Sequence, residues 1–514
     1  MRKIFILIVS VSVICGIFIG SRLWAKPDTY SLLRIFNKIL SEVENNYVDK
    51  VSSDTLIKGA IDGMIESLND PHTDYLTKKE YEAFKITTEG EFGGIGATIG
   101  TRNELITIIS PLEGTPAYRA GLLPGDAIIK VDGVPTEGKG VDIVVREIRG
   151  DPGTKVVLTI SRPMIDEPFD VEIIRAIIKL DAVPYFGMID DKIGYVQLAN
   201  FHRKADVELK PALDSLFSLG AEEIIFDLRL NAGGYLHEGV AVSELFLSTG
   251  KEIVVTKGRM EREIVYRSQK SYSYGEFPMI TLVDGGSASA SEIVAGALQD
   301  WERSLIIGTN TFGKGSVQTL IPLEDGGALK LTTARWYTPS GRSIDKPGDL
   351  QRTSVEQTTT EEDTSAVEKK KFTTLGPLKR KVYGEGGITP DIIIEPPKLT
   401  KLEIDVVTKG LIFDFVVQYK AAHKDIDKDF EVSNKMLRDF TVYLLEKDVE
   451  FTEVQFDSAK TSFKQRLKRE IFINLWGLKE GYRIRVANDP LVHKAIELLK
   501  EVKTSRDLFR FAQD

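Results

Sequence analysis

Apolar positions change their period several times along the chain. Ile4 to Gly20 is a nearly unbroken apolar run, preceded by Arg2 and Lys3 and closed by Arg22. Leu32, Leu33, Ile35, Phe36, Ile39 and Leu40 recur at helical spacing, as do Leu56, Ile57, Ala60, Ile61, Met64 and Ile65, with Pro71 ending the second set. From Phe92 the character shifts. Short alternating runs are punctuated by Gly93-Gly94, Gly100, Gly121, Gly125, Gly133, Gly150 and Gly153, which predicts a small β-rich unit ending near Ile178. Between Lys192 and Ile344 strand and helix patterns alternate. Ile193–Leu198, Glu223–Leu228, Met279–Val283 and Ser304–Ile307 read as strands; Val207–Leu219, Val240–Leu247 and Glu292–Asp300 read as helices. This predicts an α/β core of parallel character whose strand ends feed glycine-rich loops, where functional groups collect in such folds.

The remaining pattern sets boundaries. Residues 1–25 form a signal or anchor, 29–85 a helical N-terminal region, 86–178 the β-rich unit and 179–346 the core. Residues 347–384 are polar, with Thr358 to Thr364 and the run Lys369-Lys370-Lys371, and are expected to be a flexible insertion with a solvated charge run. The core resumes over 385–398. Residues 399–514 are charged and helix-patterned, as in Val432–Leu445 and Leu491–Val502.

Composition narrows the classes. A chain of 514 residues predicts several compact units, and 42% hydrophobic with 28% charged residues is globular. The net charge of -9 argues against nucleic acid as the main partner. Five scattered histidines form no metal spacing, so no metal cofactor is expected. The single cysteine, Cys15, lies in the first apolar run, which excludes disulfides and cysteine catalysis in the folded part. A cationic start before an apolar core is an export pattern. The run sits at the short edge of the about 17–25 residues that span a bilayer. A cleaved signal and an uncleaved anchor both fit, and the poor cleavage site Leu23-Trp24-Ala25 favours the anchor. The expectation is an exported, periplasmic or extracytoplasmic protein, held at the inner membrane by residues 4–20 when uncleaved. Cys15 lacks the small preceding residue of a lipidated cysteine.

Three segments carry chemistry. In Val283 to Ile293 a buried strand enters a loop of small residues, Ser287-Ala288-Ser289-Ala290-Ser291, and then a helix. Free amide N–H groups and the positive dipole end make such a helix start suitable for a nucleophile and for holding an oxyanion. Ser289-x-x-Glu292 is equally a helix capping box, and three alternating serines do not single out one. In Gly308 to Gln318, Lys314 lies between Gly313 and Gly315. The segment approaches the phosphate-binding pattern GxxxxGK(S/T), but Gly315 takes the magnesium-binding position and a strand pattern follows. A confined lysine can instead act as a base when burial lowers its pKa from about 10.4, and a serine beside it is activated without histidine. His237, near Gly234, is the closest histidine candidate, with a surface helix position as the alternative. In Asp227 to Gly234 a strand ends in a double-glycine turn that can aim a backbone N–H, or simply turn the chain.

Taken together, SASASE at 287–292, TFGKGSVQ at 311–318 and LRLNAGG at 228–234 resemble the carboxyl-terminal processing (tail-specific) proteases. Leu331 to Gly341 and Gly387-Ile388-Thr389-Pro390-Asp391 add to the likeness, which spans roughly residues 30–395. The resemblance implies a crotonase/ClpP-like α/β protease core and a serine endopeptidase that uses a Ser/Lys dyad and no cofactor. Ser289 matches the nucleophile, Lys314 the base and Gln318 the residue orienting that lysine. Gly234 and Ala290 match the oxyanion donors. Asp300 matches an acidic residue needed in some members, a bare helix-end charge being the alternative. The β-rich unit resembles a PDZ domain. Phe92-Gly93-Gly94-Ile95-Gly96 is similar to its carboxylate-binding loop, with Gly94, Ile95 and Gly96 as peptide contacts. Arg149 is a candidate for signalling between PDZ and protease, against the alternative of a surface arginine. Implied partners are exported proteins with accessible C-termini and a second copy of the chain through the helical terminal regions. The insertion after Asp345 and the helical C-terminal region depart from the compact family pattern.

Overall fold

The computed structural model describes residues 27–163, 165–260, 262–269, 274–346, 370–423 and 425–512. The signal or anchor expected at residues 1–25 lies outside them, as does most of the expected insertion. Among the described residues no helix is long and apolar enough to cross a membrane.

The chain divides into two compact units, residues 1–75 and 76–514. In the first, helix α1 (Pro27–Asn46) is followed by α2 (Ser53–Glu66). Ser52 caps α2 by accepting from the Thr55 N–H (3.2 Å). The apolar positions of α1 are left in solvent: Leu32, Ile35 and Ile39 are 63%, 55% and 58% exposed.

The second unit begins with α3 (Lys78–Glu89) and β1 (Glu91–Gly94). An antiparallel sheet follows, made of β2 (Ala97–Arg102), β3 (Leu105–Pro111), β4 (Ala127–Val131), β5 (Lys155–Ser161) and β6 (Phe169–Ile174), in that spatial order. The short helix α4 (Val141–Ile148) buries Val144 and Ile148 against Ile106, Ile108 and Leu158. β2 is one edge of this sheet, and α4 packs near it. β7 (Ala176–Lys179) pairs antiparallel with β1 and closes the unit.

The core is a six-stranded sheet. Its spatial order is β8 (Tyr185–Met188), β9 (Ile193–Gln197), β10 (Glu223–Asp227), β13 (Met279–Val283), β14 (Leu305–Gly308) and β19 (Ile392–Ile393). Only β8 runs antiparallel to its neighbour. Strands buried on both faces read as near-continuous apolar runs, as Met279–Val283 does apart from Thr281, whose hydroxyl bonds Ser304 Oγ (2.8 Å). Alternate residues then divide between two cores. Val196, Ile224 and Phe226 face α5 (Ala205–Ser218), α6 (Leu236–Glu244) and α7 (Ala290–Asp300). Tyr195, Ile225, Ile280 and Leu282 face Val492, Ala495, Leu498 and Leu499. A second sheet joins β11 (Glu252–Gly258), β12 (Ile264–Arg267), β15 (Ser316–Pro322) and β16 (Ala328–Tyr337).

Two differences from the sequence expectation follow. Residues 370–384, assigned to the flexible insertion, form the hairpin β17 (Lys371–Thr373) and β18 (Lys381–Tyr383). It is fastened to the core by Thr374 to Glu302 (2.5 Å) and Arg380 to Asp391 (2.7 Å). Its polar composition hid it, because few apolar side chains, Val382 and Leu378 among them, add burial to these polar contacts. The C-terminal helices also serve two purposes. α8 (Lys401–Thr408), α9 (Leu411–Ala422), α10 (Asn434–Glu446) and α11 (Glu453–Trp476) build their own core around Phe415, Phe440 and Phe463. After α12 (Leu478–Ala487), helix α13 (Pro490–Lys500) instead supplies one cover of the central sheet.

Candidate active site

β13 runs straight into residues 284–289, and α7 begins at Ala290. The three serines of this loop are not equivalent. Ser287 and Ser291 are fully buried, and their hydroxyls donate to the Leu228 and Asn231 carbonyls (2.8 Å each). Ser289 is partly exposed. It holds φ 54° and ψ -112°, a strained conformation for a residue with a Cβ. Such strain persists only where the surroundings enforce it, and two buried side chains do so here.

The first is Glu292. Its carboxylate accepts from the Ser289 N–H (2.7 Å), the Lys314 N–H (3.0 Å), the Gly313 N–H (2.7 Å) and the Thr311 hydroxyl (2.5 Å). The backbones of Ser289 and Lys314 thus converge on one oxygen, Oε2. Burial pushes the Glu292 carboxyl above its ordinary value, while these donors pull it back. The second is Asn231. Its carbonyl accepts from Ala288 N–H (3.0 Å) and Ser291 Oγ (2.8 Å), and its side chain bonds Leu198 O (2.8 Å) and Gly233 N–H (2.9 Å). Sequence reading saw Glu292 only as a capping residue and Asn231 only as part of a turn. The glutamate three residues after a loop serine was the signal available in the sequence.

The double-glycine turn lies against the serine. A Cβ on Gly233, at φ 92°, would come within 2.6 Å of Ala288 O and 2.9 Å of Ala290 N. The Gly233 N–H is committed to Asn231, which leaves Gly234 as the turn's candidate donor. Ala290, first residue of α7, has an N–H without an intrahelical acceptor. The structure therefore brings together Ser289, Ala290, Lys314 and the turn bearing Gly234. The Lys314 loop continues into strand β15 rather than a helix, unlike a phosphate-binding loop. The Gln318 amide, on β15, donates to Ser316 Oγ (2.9 Å) and Thr332 Oγ1 (3.3 Å).

Asp300 is not brought to this cluster. It stands at the far end of α7, about 15 Å along the helix axis. There it is fully buried, pairs with Arg342 (2.5 Å) and accepts from the Ser340 N–H (2.8 Å). His237 lies exposed on α6 with its ring edge-on to Tyr266 (5.8 Å between centroids). No cluster of three or more metal-ligating side chains occurs among the described residues.

Behind the turn, Asp227 ends β10. Its carboxylate receives the Tyr195 hydroxyl (2.6 Å) and the Arg229 guanidinium (2.7 Å), and Arg229 also pairs with Asp489 (2.8 Å). Burial raises the Asp227 pKa, but the arginine and the tyrosine outweigh it and hold the carboxyl below its usual value. In the β-rich unit, Gly94 closes β1, Ile95 is buried with its carbonyl accepting from Ala117 N–H (2.8 Å), and Gly96 takes φ 77° beside Thr115. This loop leads into the edge strand β2. Arg149 follows α4, and its guanidinium lies over the Phe92 ring (4.6 Å). Its Nε is buried without an acceptor, and burial lowers its pKa.

Residues 192–353 match Peptidase family S41, and residues 107–162 match the PDZ domain. The chain is 43% identical over 337 residues to a carboxy-terminal-processing protease of Bartonella bacilliformis, covering 65% of this chain and 77% of that protein. The chain belongs to the PDZ-containing carboxyl-terminal processing protease family. Members of this family are serine proteases, so the chain acts on peptide or protein substrates. A probable CtpA-like serine protease of Staphylococcus aureus is 38% identical over 341 residues, 66% of this chain and 68% of that one. Residues 25–80 match the activating protease CtpB N-terminal domain, and 402–455 the C-terminal helical domain of probable PDZ-proteases. Among solved structures, the photosystem II D1 C-terminal processing protease aligns over 71% of this chain and 93% of its own, at 25% identity and TM-score 0.38.

Proposed function

We propose that this carboxyl-terminal processing protease cuts with a Ser289/Lys314 dyad. The observation that carries the reading is the Glu292 carboxylate, which holds the only partly exposed serine of its loop and the Lys314 backbone on one oxygen. Neutral Lys314 takes the Ser289 proton as Oγ attacks the scissile carbonyl, then returns it to the leaving amine. The N–H groups of Ala290 and Gly234 receive the oxyanion. Gln318 steadies the lysine, and water releases the acyl group. The core is read as crotonase/ClpP-like, with its nucleophile at a strand–loop–helix junction.

A substrate tail adds to the β2 edge, with its terminal carboxylate at Gly94, Ile95 and Gly96, and Arg149 beside that loop senses occupancy. Asp300 is a structural ion-pair partner in this reading. The natural substrates are exported proteins, the chain works outside the cytoplasm, held by residues 4–20, and the exposed face of α1 pairs two copies. Cleavage of an unstructured tailed peptide tests the dyad. Ser289→Ala and Lys314→Met should each lower kcat by about 10³-fold or more, with the fold intact. Normal turnover by either variant overturns the assignment. Failure of a serine-reactive probe to label the wild type would favour an inactive peptide-binding scaffold.

A further inference from the structure

The β-rich PDZ unit joins the core by two chain crossings, Gly90 on entry and Leu180 on exit, and the Leu180 N–H donates to the Gly90 carbonyl (2.8 Å). Both crossings meet one short segment, residues 199–204. Ala199 N–H donates to Ala182 O (2.8 Å), and Arg203 N–H donates to Thr88 O (3.1 Å). The other edge of the same segment is joined to the double-glycine turn. Phe201 N–H donates to Gly233 O (3.0 Å), Tyr235 N–H donates to Phe201 O (2.9 Å), and Phe201 forms a parallel bridge with Gly234. A Cβ on Gly234 would stand 2.2 Å from Phe201 O, so the two backbones are in direct contact.

His202 occupies the centre of this junction and is 3% exposed. Its Nε2 lies 2.6 Å from Leu180 O, and its Nδ1 lies 2.9 Å from Arg203 O. Its ring takes the space where Gly90 would carry a side chain, 2.5 Å from an ideal Cβ. Glu208 stands 3.7 Å from Nε2, and its other oxygen accepts from Ala182 N–H (2.7 Å). One imidazole therefore touches both crossings of the peptide-docking unit, and its own backbone neighbour touches the turn proposed to hold the oxyanion.

We propose that His202 is a positioning residue that couples the hinge of the PDZ unit to the Gly234 N–H, so that tail docking sets the oxyanion donor. This rests on reading Gly234 as that donor and the PDZ unit as the tail site. The physical route is short. A shift of Leu180 moves the ring, the ring moves residues 201–203, and Phe201 carries Gly233 and Gly234 with it. A donor displaced by a fraction of an ångström loses much of its hold on developing charge. Two sites joined in this way share a coupling free energy that is read as a rate ratio.

The test uses the full chain and two peptides of one sequence, with a free C-terminal carboxylate or a C-terminal amide. The wild type should cleave the free acid with a kcat about fivefold or more higher. His202→Ala should bring that ratio to about two or below while still cleaving the amide. His202→Gln places an amide nitrogen near the position of Nε2, keeps the bond to Leu180 O, and should preserve the ratio. A His202→Ala variant that keeps the wild-type ratio, whether both rates are intact or both fall equally, overturns the proposal and leaves the tail reading standing. A wild-type ratio near one overturns both.

Discussion

At the residue scale the site depends on Glu292 and Asn231, the two buried groups that hold the Ser289 loop in place. Glu292 satisfies four donors from three positions of the Lys314 loop and from Ser289 itself. Glu292→Gln keeps the volume but turns an NH2 toward donors, leaving buried N–H groups unpaired. We expect a fall in kcat of at least about tenfold and a loss of about 1–3 kcal/mol, read from turnover and urea denaturation. Asp227 carries a pH prediction. Its folded pKa is depressed, so the stability it contributes is present above its unfolded value of about 3.9 and is lost as pH falls through the lower folded value. Tm of the wild type should drop more steeply than that of Asp227→Asn as the solution passes below about pH 4. Parallel curves would remove Asp227 from the acid response. Of these residues, only the serine, the lysine and the glycines stood out in the sequence. Glu292 was visible but carried a sufficient bland explanation, because a capping box needs the same residue at the same spacing.

At the element scale, α13 is the instructive case. Its apolar face was legible from periodicity, and its limits, Pro490–Lys500, fall close to the expected Leu491–Val502. What the pattern lacked was its target. An amphipathic face states that a helix must be covered, not by what. Here α13 covers the central sheet, with Leu499 fully buried among Ile280, Leu282 and Ile307. Leu499→Ala should cost about 2–5 kcal/mol of the stability of the catalytic core, followed by denaturation monitored through activity loss. Were α13 a mere appendage, activity would survive to the wild-type midpoint. Asp489, which caps α13 and pairs with Arg229, ties the same helix to the strand end that leads into the double-glycine turn.

For the whole molecule, two relationships matter. In the second unit, the PDZ sheet, the parallel core and the C-terminal helices share contacts. Val417 of α9 lies against Gly125, and Arg102 of β2 lies against Gly410 and over the Phe413 ring (5.7 Å). In the first unit, the apolar positions of α1 are exposed at levels that a single chain does not explain by its own core. We expect sedimentation of the full chain to give a dimer, and Ile35→Asp with Phe36→Asp to give a monomer of unchanged helical content. A wild-type monomer would end the pairing proposal.

The sequence by itself determined what local physics can encode. Period-2 and period-3.6 patterns set the strands and helices, and small residues at fixed spacing set the three loops. The absence of useful histidine or cysteine left a serine and a lysine as the chemistry to consider. The tertiary structure decided what depends on residues far apart in the chain. Ser289 stands apart from Ser287 and Ser291 because the carbonyls of Leu228 and Asn231, nearly sixty residues upstream, receive the other two hydroxyls. It also placed Asp300 at the far end of α7 against Arg342, fastened residues 370–384 to the core through the Thr374–Glu302 hydrogen bond and the Arg380–Asp391 ion pair, and set His202 between the PDZ crossings and the segment that meets Gly234. Burial and hydrogen-bond partnership are properties of pairs brought together by folding, so no spacing rule along the chain could have supplied them.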